Sequence, residues 1–339
     1  TLLFCGKGTI SSEVGAQQGD PLGPVLFSMA ALKCTVLPDE LYQAIRGCGW
    51  YLDDGLIIGP ADKVYEALSY IKKKGAEIGL MLNASKTEIL GHDSSVWESY
   101  KSEFPCWKPL EQLELLGLPC SPIKAGLDRY LETFSKRVQL RTDAINAVSK
   151  KDPHVGFLLL RMCTGFSVSV HLARAQGYLP EFEKIDEEII KGMDRIVPLG
   201  PFTAELARLP FRLGGLGLRS ASVHAPTAFI AATVETRSLM PLFQRSSSAP
   251  LPVDPLFAAN MARVPECVSK LVEESIVEDP ASNNSPQPFK LQREFSQAID
   301  DGRLAELRTM KDFTQDHEIR VQSCGSRGAS LYLTGPVSY

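Results

Sequence analysis

A change of texture at Pro122 constrains the fold more than any other feature of the chain. Ahead of it, short apolar runs are broken repeatedly by Gly, Pro and Asn. Behind it, apolar residues recur at three- and four-residue steps over long stretches. Runs of the first kind form strands, hairpins and single helices, and the second pattern is the buried stripe of a long helix. The expectation is an α+β chain with a boundary near 121, all-helical beyond it. Helices are expected at 128–149, with Leu131, Phe134, Val138, Ile145 and Val148 on one face, and at 154–177 and 181–196. Segments such as "RSSSAPLPVDP" and "EDPASNNSPQP" read as linkers between later helices.

Before the boundary, "VLFSMAALKCTVL" follows Pro24 with apolar residues nearly all round, which predicts a buried helix entered through the Gly23-Pro24 turn. "GWYLDDGLIIG" then places apolar residues on both sides of Asp53-Asp54-Gly55, a hairpin with an acidic turn. Val64, Ala67, Leu68, Ile71 and Ile78 mark an amphipathic helix over 62–79. A turn at Asn83-Ala84-Ser85 and a strand over Lys86 to Leu90 follow, then an irregular insert to Pro109, then a hairpin at "LELLGLPC".

With 339 residues and a net charge of -4, the chain is long enough for two or three domains and carries no uniformly basic surface. Any nucleic-acid contact must therefore be local. The run 122–161 supplies one, because Lys124, Arg129, Lys136, Arg137, Arg141, Lys150, Lys151 and Arg161 face only Asp128, Glu132, Asp143 and Asp152. Eight cysteines form no Cys-x-x-Cys pair and five histidines no metal spacing; His171 reads as a core residue. The apolar run 155–175 carries Arg161, His171 and Arg174, so a core helix is expected and no membrane partner.

Two adjacent aspartates in a hairpin are turn formers on their own. In combination they carry more. "GAQQGDPLGPVLF", "YLDDG", "GLMLNASKTEIL" and "LELLGLPC" stand in this order over about a hundred residues, and the segment 14–120 resembles the second half of the palm of a reverse transcriptase of the non-LTR retrotransposon type. The likeness extends, less sharply, to "RLGGLGLRSA". It implies an incomplete right-hand palm over 1–120, an antiparallel sheet with packed helices, then a helical thumb over 121–200. Residues 201–339 form a further helical region of open role.

The resemblance implies an RNA-directed DNA polymerase, a nucleotidyltransferase with two Mg²⁺ ions, an RNA template, a DNA primer and deoxynucleoside triphosphates. Asp53 and Asp54 are its metal-binding and catalytic candidates, since hard cations take carboxylate oxygens alongside substrate phosphates. Lys86 is either a residue that meets the leaving pyrophosphate or an ordinary strand lysine. Gln18, Gly19 and Pro21 would line the nucleotide and template pocket, unless the loop is only a rigid helix entry. Tyr51 would pack by the primer terminus or fill a core, and Leu52 reads as core filler. Leu116 and Gly117 would form the primer grip.

The family's third aspartate lies on an earlier palm strand, and between Thr1 and Val14 the one acid is Glu13. The expectation is a segment of a longer polypeptide, inactive without an N-terminal fingers and palm partner and working in nucleus or cytoplasm. The alternatives are a non-catalytic remnant that at most binds nucleic acid, or an intron-maturase-like polymerase.

Overall fold

The computed structural model describes residues 2–5, 8–11, 15, 19–237, 255–277 and 290–325. It is a mixed α+β structure, mostly helical with small sheets. Two compact units divide after Leu110; the first holds the chain up to there and the second the described residues from Glu111 on.

In the first unit, β1 (Leu2–Cys5) pairs antiparallel with β2 (Gly8–Ser11). Helices α1 (Gly23–Thr35) and α2 (Asp39–Ala44) precede the hairpin of β3 (Gly47–Tyr51) and β4 (Asp54–Ile58), and α3 (Ala61–Glu77) follows. Then β5 (Glu88–Gly91) pairs in parallel with β6 (Cys106–Pro109), around a short 3₁₀ turn at Trp97–Ser99. Helix α3 is the spine, because its apolar residues reach two clusters. Ala67 and Ile71 join Leu37, Leu41 and Ile45, while Tyr65 and Leu68 meet Phe104.

Two expectations need correction. The strands do not join into one antiparallel sheet; among the described residues they form four separate pairs, one of them parallel. Helix α1 forms where predicted but is not buried: Leu22, Val25, Leu26, Met29, Leu32 and Val36 are each more than half exposed. Its packed side is the one carrying Cys34.

The second unit opens with a minimal hairpin of β7 (Glu114–Leu115) and β8 (Leu118–Pro119). Helix α4 (Lys124–Ser149) then lays Leu131, Phe134, Val138 and Ile145 into the largest core, as its spacing predicts; Val148 stays partly exposed. The apolar run expected as one helix is two, α5 (Pro153–Cys163) and α6 (Phe166–Gln176). The chain breaks at Gly165, where a Cβ would lie 2.4 Å from the Arg161 carbonyl oxygen. Helix α7 (Glu181–Asp194) completes this core with Phe182, Ile185, Ile189 and Met193, and α8 (Pro201–Arg208) follows.

Helix α9 (Ala221–Thr236) is apolar around most of its circumference and is correspondingly buried. Ala221, Ala225 and Ala228 face the α4–α7 core. Phe229, Ile230 and Ala231 face a second one made by Glu266–Val277 and Lys290–Arg308. The glycine-rich "RLGGLGLRSA" delivers the chain to α9, and its backbone N–H groups are spent internally. Gly215, Leu216, Gly217 and Leu218 donate to carbonyls of Pro210, Ala207 and Leu209. At Gly215 a Cβ would sit 2.0 Å from the Leu209 oxygen, so only glycine fits.

The buried Asp186 of α7 holds the start of α9. Its carboxylate accepts from the Ala221 and Ser222 amides at 2.7 and 3.0 Å and from the Ser220 and Ser222 hydroxyls at 2.5 and 2.7 Å. A buried carboxylate is tolerated where its oxygens are filled by donors, and a helix N-terminus supplies them. Replacing Asp186 by Ala strands those donors and is expected to cost about 3 kcal/mol, measurable by urea unfolding; a loss below about 1 kcal/mol would contradict this role.

Candidate functional site

The β3–β4 register pairs Tyr51 with Asp54 and Trp50 with Gly55, so the turn is Leu52–Asp53. This corrects the predicted turn by one residue, since Asp54 and Gly55 already belong to the return strand. The cause is Trp50, whose ring covers Gly55 so closely that a Cβ there would lie 2.4 Å from Cζ3. Leu52 adopts φ 54°, the left-handed region, where a side chain costs about 1–2 kcal/mol. Tyr51 and Leu52 fill no core, being 64% and 42% exposed. Asp53 and Asp54 are exposed, and among the described residues neither carboxylate has a hydrogen bond or ion pair.

The loop into α1 is built by local chemistry. Gly19 takes φ 92°, the Asp20 carboxylate accepts from the Leu22 amide at 2.9 Å, and the Asp20 carbonyl accepts from Gly23 at 3.0 Å. Pro21 is exposed in this turn and Pro24 sits in the first turn of the helix. Gln18 lies outside the described residues. Lys86 is exposed in the turn after Asn83, not on the strand as expected, and its amide donates to the Asn83 side chain at 3.2 Å. Among the described residues it forms no ion pair with Asp53 or Asp54.

In the second unit the β7–β8 turn is Leu116–Gly117, with φ 51° and 76°. Leu52 and Leu116 are the non-glycine residues with positive φ among those described, and each sits at the tip of a hairpin the sequence singles out. Backbone strain of this kind persists where surrounding structure enforces it, often at functional sites. His171 is exposed rather than core, because its ring reaches the Leu116 carbonyl. On α4, Lys124 and Lys136 pair with Asp128 and Glu132 of their own helix. Arg129, Arg137, Lys150 and Lys151 are exposed and have no carboxylate partner among the described residues. They are the part of the basic run left open to phosphate.

Two adjacent free carboxylates suit a hard divalent cation that also takes waters and phosphate oxygens. Among the described residues no group of three or more His, Cys, Asp and Glu side chains is placed to hold a metal.

A second polar cluster escaped the sequence reading. A cavity of about 310 Å³ in the second unit is lined by Asp186, Ser220, Ser222, His224, Asp300 and Arg303, among others. It resembles a nucleophilic triad in composition only. Both serine hydroxyls donate to Asp186, and His224 Nε2 faces Asp300 at 3.6 Å, not a serine. Burial, then Arg219 and Arg303, push His224 down to about 3, so the ring is neutral. Asp300 is paired with Arg219. No local pattern marks this cluster, because its members come from helices more than thirty residues apart.

Protein-family models, curated proteins and solved structures yield no match to this chain.

Two outcomes follow. Replacing Leu52 by Asn, which tolerates the left-handed region, is expected to stabilise the first unit by roughly 0.5–1 kcal/mol in thermal unfolding; a destabilisation would contradict the strain. For His224, the unfolded side chain titrates near ~6.5. Folding stability is full above that pH and falls as the unfolded chain takes up a proton the native ring refuses, about 2 kcal/mol by pH 5. Burial raises the Asp300 carboxyl, which acts in the opposite direction toward lower pH. Unfolding at pH 7 and pH 5 should show the loss in the native chain and not in His224→Leu; equal pH dependence in both would contradict it.

Proposed function

We propose that this chain is the palm-and-thumb portion of an RNA-directed DNA polymerase of the non-LTR retrotransposon type, carrying part of a Mg²⁺ site and part of a primer–template surface. The observation that carries the reading is the β3–β4 tip, where Asp53 and Asp54 stand exposed and unneutralised beside Tyr51 on a strained turn. Unpaired adjacent carboxylates repel each other, and a bound cation relieves that repulsion.

Bound Mg²⁺ ions would neutralise charge on the attacking and leaving oxygens of nucleotidyl transfer. The chain's residues then divide the remaining work. Asp53 and Asp54 would hold the cations, and Tyr51 would orient the primer terminus. Gly19 and Pro21 shape the pocket wall. Lys86 meets the triphosphate and places a proton-bearing ammonium near the departing pyrophosphate. Arg129, Arg137, Lys150 and Lys151 take backbone phosphates without reading sequence.

In this reading a partner polypeptide that supplies a third carboxylate would pack on the apolar stripe of α1 and on the edges of β3–β4, which are unpaired among the described residues. The same open features favour a second reading for the chain alone, a nucleic-acid-binding body without catalysis. Both are tested by one pair of assays on the full chain. An RNA–DNA duplex should bind with strong salt dependence. Arg129→Ala with Arg137→Ala should lower the log–log salt slope by about 1–2, and Asp53→Ala should leave binding unchanged. Primer extension with Mg²⁺ should give no product. Absence of duplex binding would overturn the proposal, and template-dependent extension by this chain would overturn the need for a further carboxylate.

A further inference from the structure

The β7–β8 turn is tied down more heavily than its size warrants. With two residues per strand, such a hairpin has little stability of its own. Its consecutive turn carbonyls could be left to water, yet each is taken by a side chain from a different helix. Tyr130 of α4 donates its hydroxyl to the Gly117 carbonyl at 3.0 Å, and His171 Nε2 of α6 meets the Leu116 carbonyl at 3.2 Å. Gln176, one turn and a half further along α6, donates to the Pro119 carbonyl at 2.8 Å. The carbonyl acceptor fixes the proton on His171 Nε2, whatever the state of Nδ1.

What these bonds hold is a leucine in the left-handed region whose side chain remains 48% exposed. Apolar burial is therefore not the reward for the strain. Leu118 and the buried Pro119 root the hairpin in the core below, and the three side chains fix the tip above it. Arg137 follows Tyr130 by seven residues on α4, about two helical turns, so both lie on one face of that helix. An exposed apolar tip fastened to a helix that also carries an exposed guanidinium suits the sugar face and phosphate of one nucleic-acid strand end.

We infer that Tyr130, His171 and Gln176 are positioning residues that lock the Leu116–Gly117 turn so that Leu116 is presented to a nucleic-acid strand terminus. The inference rests on the polymerase reading for the identity of that strand, but the lock itself does not.

The test uses the full chain with Tyr130→Phe, His171→Ala and both together. The first deletes one hydroxyl and the second alters an exposed side chain, so both are expected to fold, with unchanged melting of the helical unit as the check. The first readout is amide exchange over 113–120, in particular the Cys120 N–H that donates to Leu113 at 2.9 Å. It should accelerate about tenfold in the double variant. The second readout is photo-crosslinking from the 3′ terminus of a primer in an RNA–DNA duplex to residues 113–120. Its yield should fall about fivefold to tenfold in the double variant, with duplex affinity changed less than about twofold.

Unchanged exchange in the double variant would overturn the lock. Accelerated exchange with undiminished crosslinking would overturn the positioning role and leave the polymerase reading standing. If the unsubstituted chain binds no duplex, the polymerase reading and the assignment of the strand fall together, and the exchange result still decides the lock.

Discussion

The second unit depends on the burial of α9 from both sides, and that depends on Asp186. A helix apolar around most of its surface has no face to give to water. It is stable here because α4–α7 cover its alanine side and the helices Glu266–Val277 and Lys290–Arg308 cover the other. Its N-terminal amides, which no earlier helical turn can satisfy, then need acceptors from elsewhere in the protein. A carboxylate from α7 serves them instead, joined by Ser220 and Ser222. The neutral His224 one turn along and the Arg219–Asp300 pair belong to the same economy of buried polar groups. The late helices thus act as the second wall of a core the earlier helices begin.

The small strands follow a different logic. None of the four pairs has a third strand among the described residues, so each depends on what lies beneath it. The β3–β4 hairpin rests on Ile45, Ala67 and Ile71 through Cys48, Trp50 and Ile57. The β7–β8 hairpin is rooted through Leu118 and fastened by side chains of α4 and α6. Both tips carry a leucine in a conformation leucine avoids. That is the common physical feature of the two hairpins proposed to meet the primer.

Periodicity made the long helices legible, because an amphipathic stripe such as that of α4 is written residue by residue. Patterns that depend on a distant partner were not. The helix at 154–177 looked continuous because its apolar run hides the one local signal, Gly165, whose Cβ would strike the Arg161 carbonyl one turn earlier. The apolar α1 looked buried, since hydropathy reports what a surface prefers and not what covers it. Asp186 sits among Glu183, Glu187 and Glu188 and reads like one more surface acid, because the amides it caps lie some thirty-five residues away. His171 read as core because its neighbours are apolar, while its ring turns outward to a carbonyl fifty-five residues earlier. The hairpin motifs were legible as hairpins, and the tip of β3–β4 was misplaced by one residue where Trp50 needed Gly55.

The central claim is that the Asp53–Asp54 tip is a partial site for a divalent cation. Titrating Mn²⁺ into the isotope-labelled chain and following paramagnetic broadening of the amide resonances tests it without any substrate. The account predicts broadening centred on residues 52–55 at weak, millimolar-range affinity, lost in Asp53→Asn. Broadening elsewhere, or at this turn equally in Asp53→Asn, would contradict it.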